Sequence, residues 1–84
     1  MGYHKSKIKK GVLGEFSKVS EEYHELLDAI EQEVDVLQLV ECSDLIGAIE
    51  AYTLNKWNVS LEQLIRMKQL TQKAFEDGTR TNQK

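Results

Sequence analysis

The sequence predicts an all-α protein, an antiparallel helical bundle of about three main helices per chain completed by oligomerisation. Three observations carry that expectation. The 84 residues include no proline, and 30% charged with 40% apolar residues suits a soluble, mostly helical domain. Apolar residues recur at helical spacing in three successive stretches separated by short polar breaks. The third of these stretches carries two apolar stripes, and a helix with two stripes has two things to pack against. A chain this short gains only about 3–5 kcal/mol from one core, so a bound ion, a partner subunit or both are expected as supports.

Taken in order, residues 1–13 read as a basic N-terminal arm, with Gly11 and Gly14 as punctuation; the run Lys5 to Lys10 reads first as solvated and alternatively as an arm that helps attract phosphates. Residues 14–77 form the helical domain, and 78–84 a polar tail. The first helix is expected from about Glu15 to about Glu33, where Phe16, Val19, Tyr23, Leu26, Leu27 and Ile30 mark out one face. Glu22 and Glu25 lie on one flank of that stripe with Lys18 and Ala29, while Asp28 points away. The second helix, Val36 to Leu54, is apolar over much of its circumference and is expected to be central. Gly47 and Ala48 there allow a neighbouring helix to come close. Asn55 to Asn58 reads as a connector, with Trp57 closing the end of the core. Ser60 with Gln63 is a capping-box pattern opening the third helix. Its stripes are Leu61, Leu64, Ile65 and Phe75 on one side and Met67, Leu70 and Ala74 on another, for which a subunit interface is the favoured reading.

Charge and cysteine content narrow the function classes. A net charge of −3 gives no reason to expect nucleic acid or an anionic membrane as partner. A single cysteine, Cys42, excludes an intramolecular disulfide and a multi-cysteine zinc site, and fits a reducing, cytoplasmic setting. Cys42 itself is read as a small packed residue of the second helix. The absence of a long apolar run argues against a signal peptide or a membrane span.

The anomaly lies in the second helix. At about 100° per residue, Leu37, Ala48, Glu41, Tyr52 and Leu45 fall within one arc of about 80°, so a carboxylate sits in the middle of an apolar face. Asp44 lies one turn on, at the edge of the same arc. A charge held in an apolar seam costs several kcal/mol unless a counter-charge meets it. Two acidic pairs at i, i+3 spacing, Glu22 with Glu25 and Glu41 with Asp44, face each other if the two helices form an antiparallel hairpin. Four carboxylates so close repel one another, and a hard divalent cation removes the repulsion. All-oxygen ligation without His or Cys points to Mg²⁺, with Mn²⁺ as a possible substitute.

Glu22-x-x-Glu25 followed after fifteen residues by Glu41-x-x-Asp44 resembles the signature of the MazG-like, all-α nucleoside triphosphate pyrophosphohydrolases. Lys18 ahead of Glu21 and Glu22 resembles the opening of these enzymes and of their relatives that cleave phosphoribosyl-ATP. The stretch Lys73 to Arg80 is similar to the family's ending. Cys42 and Ser43 stand where typical members have a small residue and a glycine. The resemblance, over about Gly14 to Arg80, implies that Glu22, Glu25, Glu41 and Asp44 hold Mg²⁺. It implies water attack on the α-phosphorus of a nucleoside triphosphate, giving the monophosphate and pyrophosphate. Glu22 or Glu25 would orient or deprotonate the water, and Lys18, Lys73 and Arg80 would balance phosphate charge. A homodimer or dimer of dimers is expected. Two alternatives stand beside this one: a non-catalytic helical homodimeric interaction module, and a phosphoribosyl-ATP pyrophosphohydrolase-like enzyme.

Overall fold

A computed structural model describes residues 7–76, with the side chain of Phe75 outside the description. Three helices and no strands are found among the described residues: α1 (Phe16–Gln32), α2 (Asp35–Trp57) and α3 (Leu61–Glu76). None is long and apolar enough to cross a membrane. The tail 78–84, and Arg80 with it, lies outside the described residues.

The helix ends follow from local chemistry. α1 is preceded by a turn in which the Glu15 N–H donates to Val12 O (2.9 Å) and the Val12 N–H to Ser17 Oγ (3.0 Å). It stops at Glu33, whose backbone is left-handed (φ 61°). The cost of that conformation, roughly 1–2 kcal/mol for a side-chain-bearing residue, comes with a connection to α2 of only Glu33 and Val34. α2 runs three residues beyond the expected Leu54. Asn55 to Trp57 are helical because the stop is supplied by Asn58, left-handed at φ 58°, whose N–H returns to Leu54 O (2.9 Å). Asparagine tolerates that conformation better than most residues. Thr53 Oγ1 lies 2.8 Å from Val59 O and fastens the same corner. The expected capping box opens α3: the Ser60 N–H donates to Gln63 Oε1 (2.8 Å) and the Gln63 N–H to Ser60 Oγ (3.2 Å).

α1 and α2 pack along their lengths, and α3 scarcely touches either. Gly14 O accepts a hydrogen bond from Asn55 Nδ2 (2.9 Å), and the rings of Phe16 and Tyr52 meet edge to face at 5.8 Å. The start of α1 thus lies beside the end of α2. On α2 the inward side is the arc marked out by periodicity: Leu37, Glu41 and Ala48 are buried, and Leu45 and Tyr52 half-buried. On α1 the outcome is the reverse of the apolar pattern. Phe16, Tyr23, Leu27 and Ile30 are exposed, whereas Glu21, Glu22, Asp28 and Ala29 are buried. Asp28 therefore does not point away; it is 3% exposed and accepts a hydrogen bond from Gln32 Nε2 (3.0 Å).

Buried carboxylates, four in number, outnumber the buried apolar residues Ala29, Leu37 and Ala48 among the described residues. The radius of gyration is 15.4 Å, against about 12 Å for a compact chain of this length. α2 is not wrapped by its own chain: Val36 and Leu39 are 71% and 70% exposed, Cys42 is exposed rather than packed, and nothing stands within 4 Å of where a Cβ on Gly47 would lie. Trp57 does not close a core. It is exposed, resting edge-on against Tyr52 at 5.6 Å.

Candidate metal centre

The acids come together where the middle of α1 crosses the middle of α2. Each of Glu22, Glu25, Glu41 and Asp44 offers one carboxylate oxygen, and these four oxygens lie within 4.8 Å of one another. Octahedral Mg²⁺ at 2.0–2.1 Å from its ligands places opposite oxygens about 4.2 Å apart, so the cluster can hold an ion of that size with little rearrangement. The i, i+3 spacing does the local work on each helix by setting paired carboxylates on adjacent turns. The small side chains of Ala29 and Ala48, both buried, leave room for the helices to approach.

Burial is graded across the cluster. Glu41 is 1% exposed, Glu22 is buried, Glu25 is half-buried and Asp44 faces solvent. A ligand set with a buried floor and one open edge suits an ion that also meets a substrate. Oε1 of Glu22 accepts no hydrogen bond among the described residues although it is buried, the condition expected of an oxygen that has lost water and gained no protein donor. Its other oxygen, Oε2, pairs with Lys18 Nζ at 3.1 Å. The cluster's strain falls on Glu25, whose carboxyl is pushed up to about 8. Burial is the main cause, followed by the charge of Glu22, hydrogen bonds to Glu21 and Glu22, and the charge of Glu41. Without a cation, then, one proton replaces the missing charge near neutral pH.

Lys18 stands on the acidic flank of α1 as expected, with Nζ 3.1 Å from both Glu21 Oε1 and Glu22 Oε2. The hydrogen bond it donates to Glu22 holds its ammonium above the usual lysine range against the opposing effect of burial, with Glu21 adding to it. Lys73 is elsewhere: it lies in the last turn of α3, the helix that scarcely touches the other two. The structure also adds Glu21, whose role the sequence reading missed. Burial works to raise its pKa, but the Gly11 N–H, the Lys18 ammonium and a hydrogen bond from Glu25 outweigh that and hold it below the ordinary carboxylate value. Its signal was present in the sequence as the first acid of the Lys18-x-x-Glu21-Glu22 run.

Of the expected arm, residues 1–6 lie outside the described residues, and residues 7–13 are not simply solvated. Their backbone meets Glu21 at Gly11, and a groove of about 920 Å³ runs between Lys7–Lys10 and the side of α1 that carries Ser17, Ser20 and His24. None of the four clustered acids lines that groove; they occupy the helix seam instead.

Comparison with known proteins adds no family: no family model matches the chain, and no curated protein or solved structure matches it. The functional reading therefore stands on the residues and their geometry.

Proposed function

We propose that this chain is a Mg²⁺-dependent nucleoside triphosphate pyrophosphohydrolase acting as a homo-oligomer. The observation that carries the proposal is the convergence of Glu22, Glu25, Glu41 and Asp44, the acids of the MazG-like pattern, with one oxygen each inside a 4.8 Å span. Magnesium held by them would supply positive charge against the triphosphate and make a nearby water more acidic. In the proposed reaction the water oxygen bonds to the α-phosphorus, the bond to the bridging oxygen of the β-phosphate breaks, and pyrophosphate leaves. Glu25 is the better candidate to take the water's proton. It is less buried than Glu22, and Glu22 is already engaged by Lys18. Lys18 keeps charge balanced on that flank.

The same reading includes an antiparallel α1–α2 hairpin, supported by the Gly14–Asn55 and Phe16–Tyr52 contacts, and a second copy of the chain. Support for the second copy comes from the apolar faces left open on all three helices: Phe16 and Tyr23 on α1, Leu39 and Ile46 on α2, Met67 and Leu70 on α3. Isolated exposed residues are ordinary, but contiguous apolar faces on each helix are not. A homodimer or a dimer of dimers would cover them, and Gly47, with open space above it, permits close approach of a partner helix. A purely structural interaction module would use the same faces. It gives no reason for Glu41 to be 1% exposed among other acids.

The deciding experiment is a panel of common and modified (d)NTPs incubated with the protein and Mg²⁺, with products identified as pyrophosphate or orthophosphate. Pyrophosphate, abolished by EDTA, is expected. Orthophosphate as the first product would sink attack at the α-phosphorus, and no product from any nucleotide would favour the interaction module.

A further inference from the structure

Outside the metal-capable quartet, Glu21 is a buried carboxylate with several partners among the described residues. Its side chain is 2% exposed, and it reaches in three directions. Oε1 accepts the Gly11 N–H at 2.8 Å and the Lys18 ammonium at 3.1 Å. Oε2 lies 3.8 Å from Nζ of Lys10, a lysine 88% exposed to solvent. Glu25, a member of the quartet, also hydrogen-bonds to it. One buried carboxylate thus links the N-terminal segment, the acidic flank of α1 and the candidate metal centre. The link depends on glycine at position 11, where any Cβ would collide with the backbone carbonyl of Ser17.

Charge arithmetic gives the link a purpose. Two ammonium groups gather at Glu21, Lys18 being shared with Glu22, so positive charge stands beside a centre made of carboxylates. A nucleoside triphosphate brings more negative charge than a single divalent ion cancels, and lysines serve as point charges for phosphate. A solvated lysine arm supplies such charge only after paying to be ordered. Here the backbone at Gly11 is fastened in advance.

We propose that Glu21 is a positioning residue: it clamps the N-terminal segment through Gly11 and Lys10 against the metal centre, so that Lys10 and Lys18 meet the phosphates of the substrate. This inference rests on the pyrophosphohydrolase reading for the identity of the substrate, and on the Glu21 contacts alone for the clamp.

The test uses the full chain with two variants that break the clamp from opposite sides, Glu21→Gln and Gly11→Ala. Trypsin cleavage after Lys9 and Lys10 should accelerate at least tenfold in both, with circular dichroism unchanged. KM for the triphosphate should rise at least tenfold with kcat within threefold, and Mg²⁺ binding without nucleotide, read by calorimetry, should stay within threefold. Faster cleavage with an unchanged KM would overturn the proposal, because the clamp would then be structural only. Loss of Mg²⁺ binding in Glu21→Gln but not in Gly11→Ala would overturn it too, by assigning Glu21 to the metal centre. If the wild type releases no pyrophosphate from any nucleotide, the enzymatic reading fails separately. Inorganic tripolyphosphate binding with Mg²⁺ then decides the clamp: tenfold weaker binding in both variants upholds it, and equal or absent binding in wild type and variants overturns it.

Discussion

The inner seam between α1 and α2 and the outer surfaces of the same helices have exchanged their usual chemistry. Inside, Glu22 and Glu41 are buried beside three small or medium apolar residues; outside, Leu39 at 70% and Phe16 at 61% stand in solvent. A helix ordinarily buries its apolar stripe and leaves acids to water. The inversion teaches that the two helices by themselves do not cover their apolar surfaces. In the proposed enzyme the acid-lined interior would be stabilised by a cation and the apolar exterior by another copy of the chain.

Breaking the interior should have the largest effect. Glu41→Gln is expected to abolish the Mg²⁺-induced rise in melting temperature and to lower pyrophosphate release by at least about 100-fold, since even groups that merely orient metal ligands are worth 10–100-fold. Without metal the same variant should melt no lower than wild type, because removing a buried charge relieves repulsion. A clear loss of metal-free stability would show that Glu41 supports the fold rather than the ion.

The exterior comes next. Ile46→Lys removes apolar burial worth about 2 kcal/mol per chain if a second copy covers α2, equivalent to roughly 10 °C in melting temperature for a domain of this size. Light scattering should report a smaller species than wild type. An unchanged mass with unchanged melting would leave that face solvated in the native protein.

pH sharpens the interior further. Glu25 has a folded-state pKa of about 8, raised above its unfolded value of 4.5. Between those values the folded state holds a proton that the unfolded state has released. Metal-free stability should therefore be highest at the acidic end and fall as pH rises from about 4.5 to about 8. Mg²⁺ binding displaces the proton, so affinity should climb by up to about tenfold per pH unit below 8 and level off above it. Calorimetry across this range checks both signs. An affinity flat with pH would remove Glu25 from the ligand set.

The smallest effect belongs to α3, which the comparison leaves outside. Ser60→Ala should cost about 1 kcal/mol through the lost cap, seen as a modest drop in melting temperature with the Mg²⁺ response intact. A lost Mg²⁺ response would tie α3 to the centre more closely than its contacts suggest.

Much of this was legible in sequence wherever the signal is local. The three helices, the Ser60–Gln63 cap, the arc centred on Glu41 and the Lys18–Glu22 pair all depend on spacing within one helix. What was not legible depends on which face meets which neighbour. The stripe from Phe16 to Ile30 reads as a core face, yet within this chain Phe16, Tyr23, Leu27 and Ile30 are exposed and only Val19 and Leu26 are half-buried. Asp28 and Cys42 exchange the burial expected of them for the same reason. The extension of α2 to Trp57 was missed because Asn58, not the polar residues before it, makes the stop. Glu21 was passed over because its partners at Gly11 and Lys10 come from a segment with no periodicity.

The exposure of Cys42 also has a practical consequence. It is the only thiol in the sequence, it stands in water, and its neighbour Glu41 is the most deeply buried acid of the seam. A single maleimide or nitroxide reagent would place one reporter on each chain at a defined position of α2, with no cysteine to be removed beforehand. Pulsed dipolar spectroscopy would show whether two such labels come together in a pair of copies, and a fluorophore at the same sulfur would test for an ion at the neighbouring Glu41.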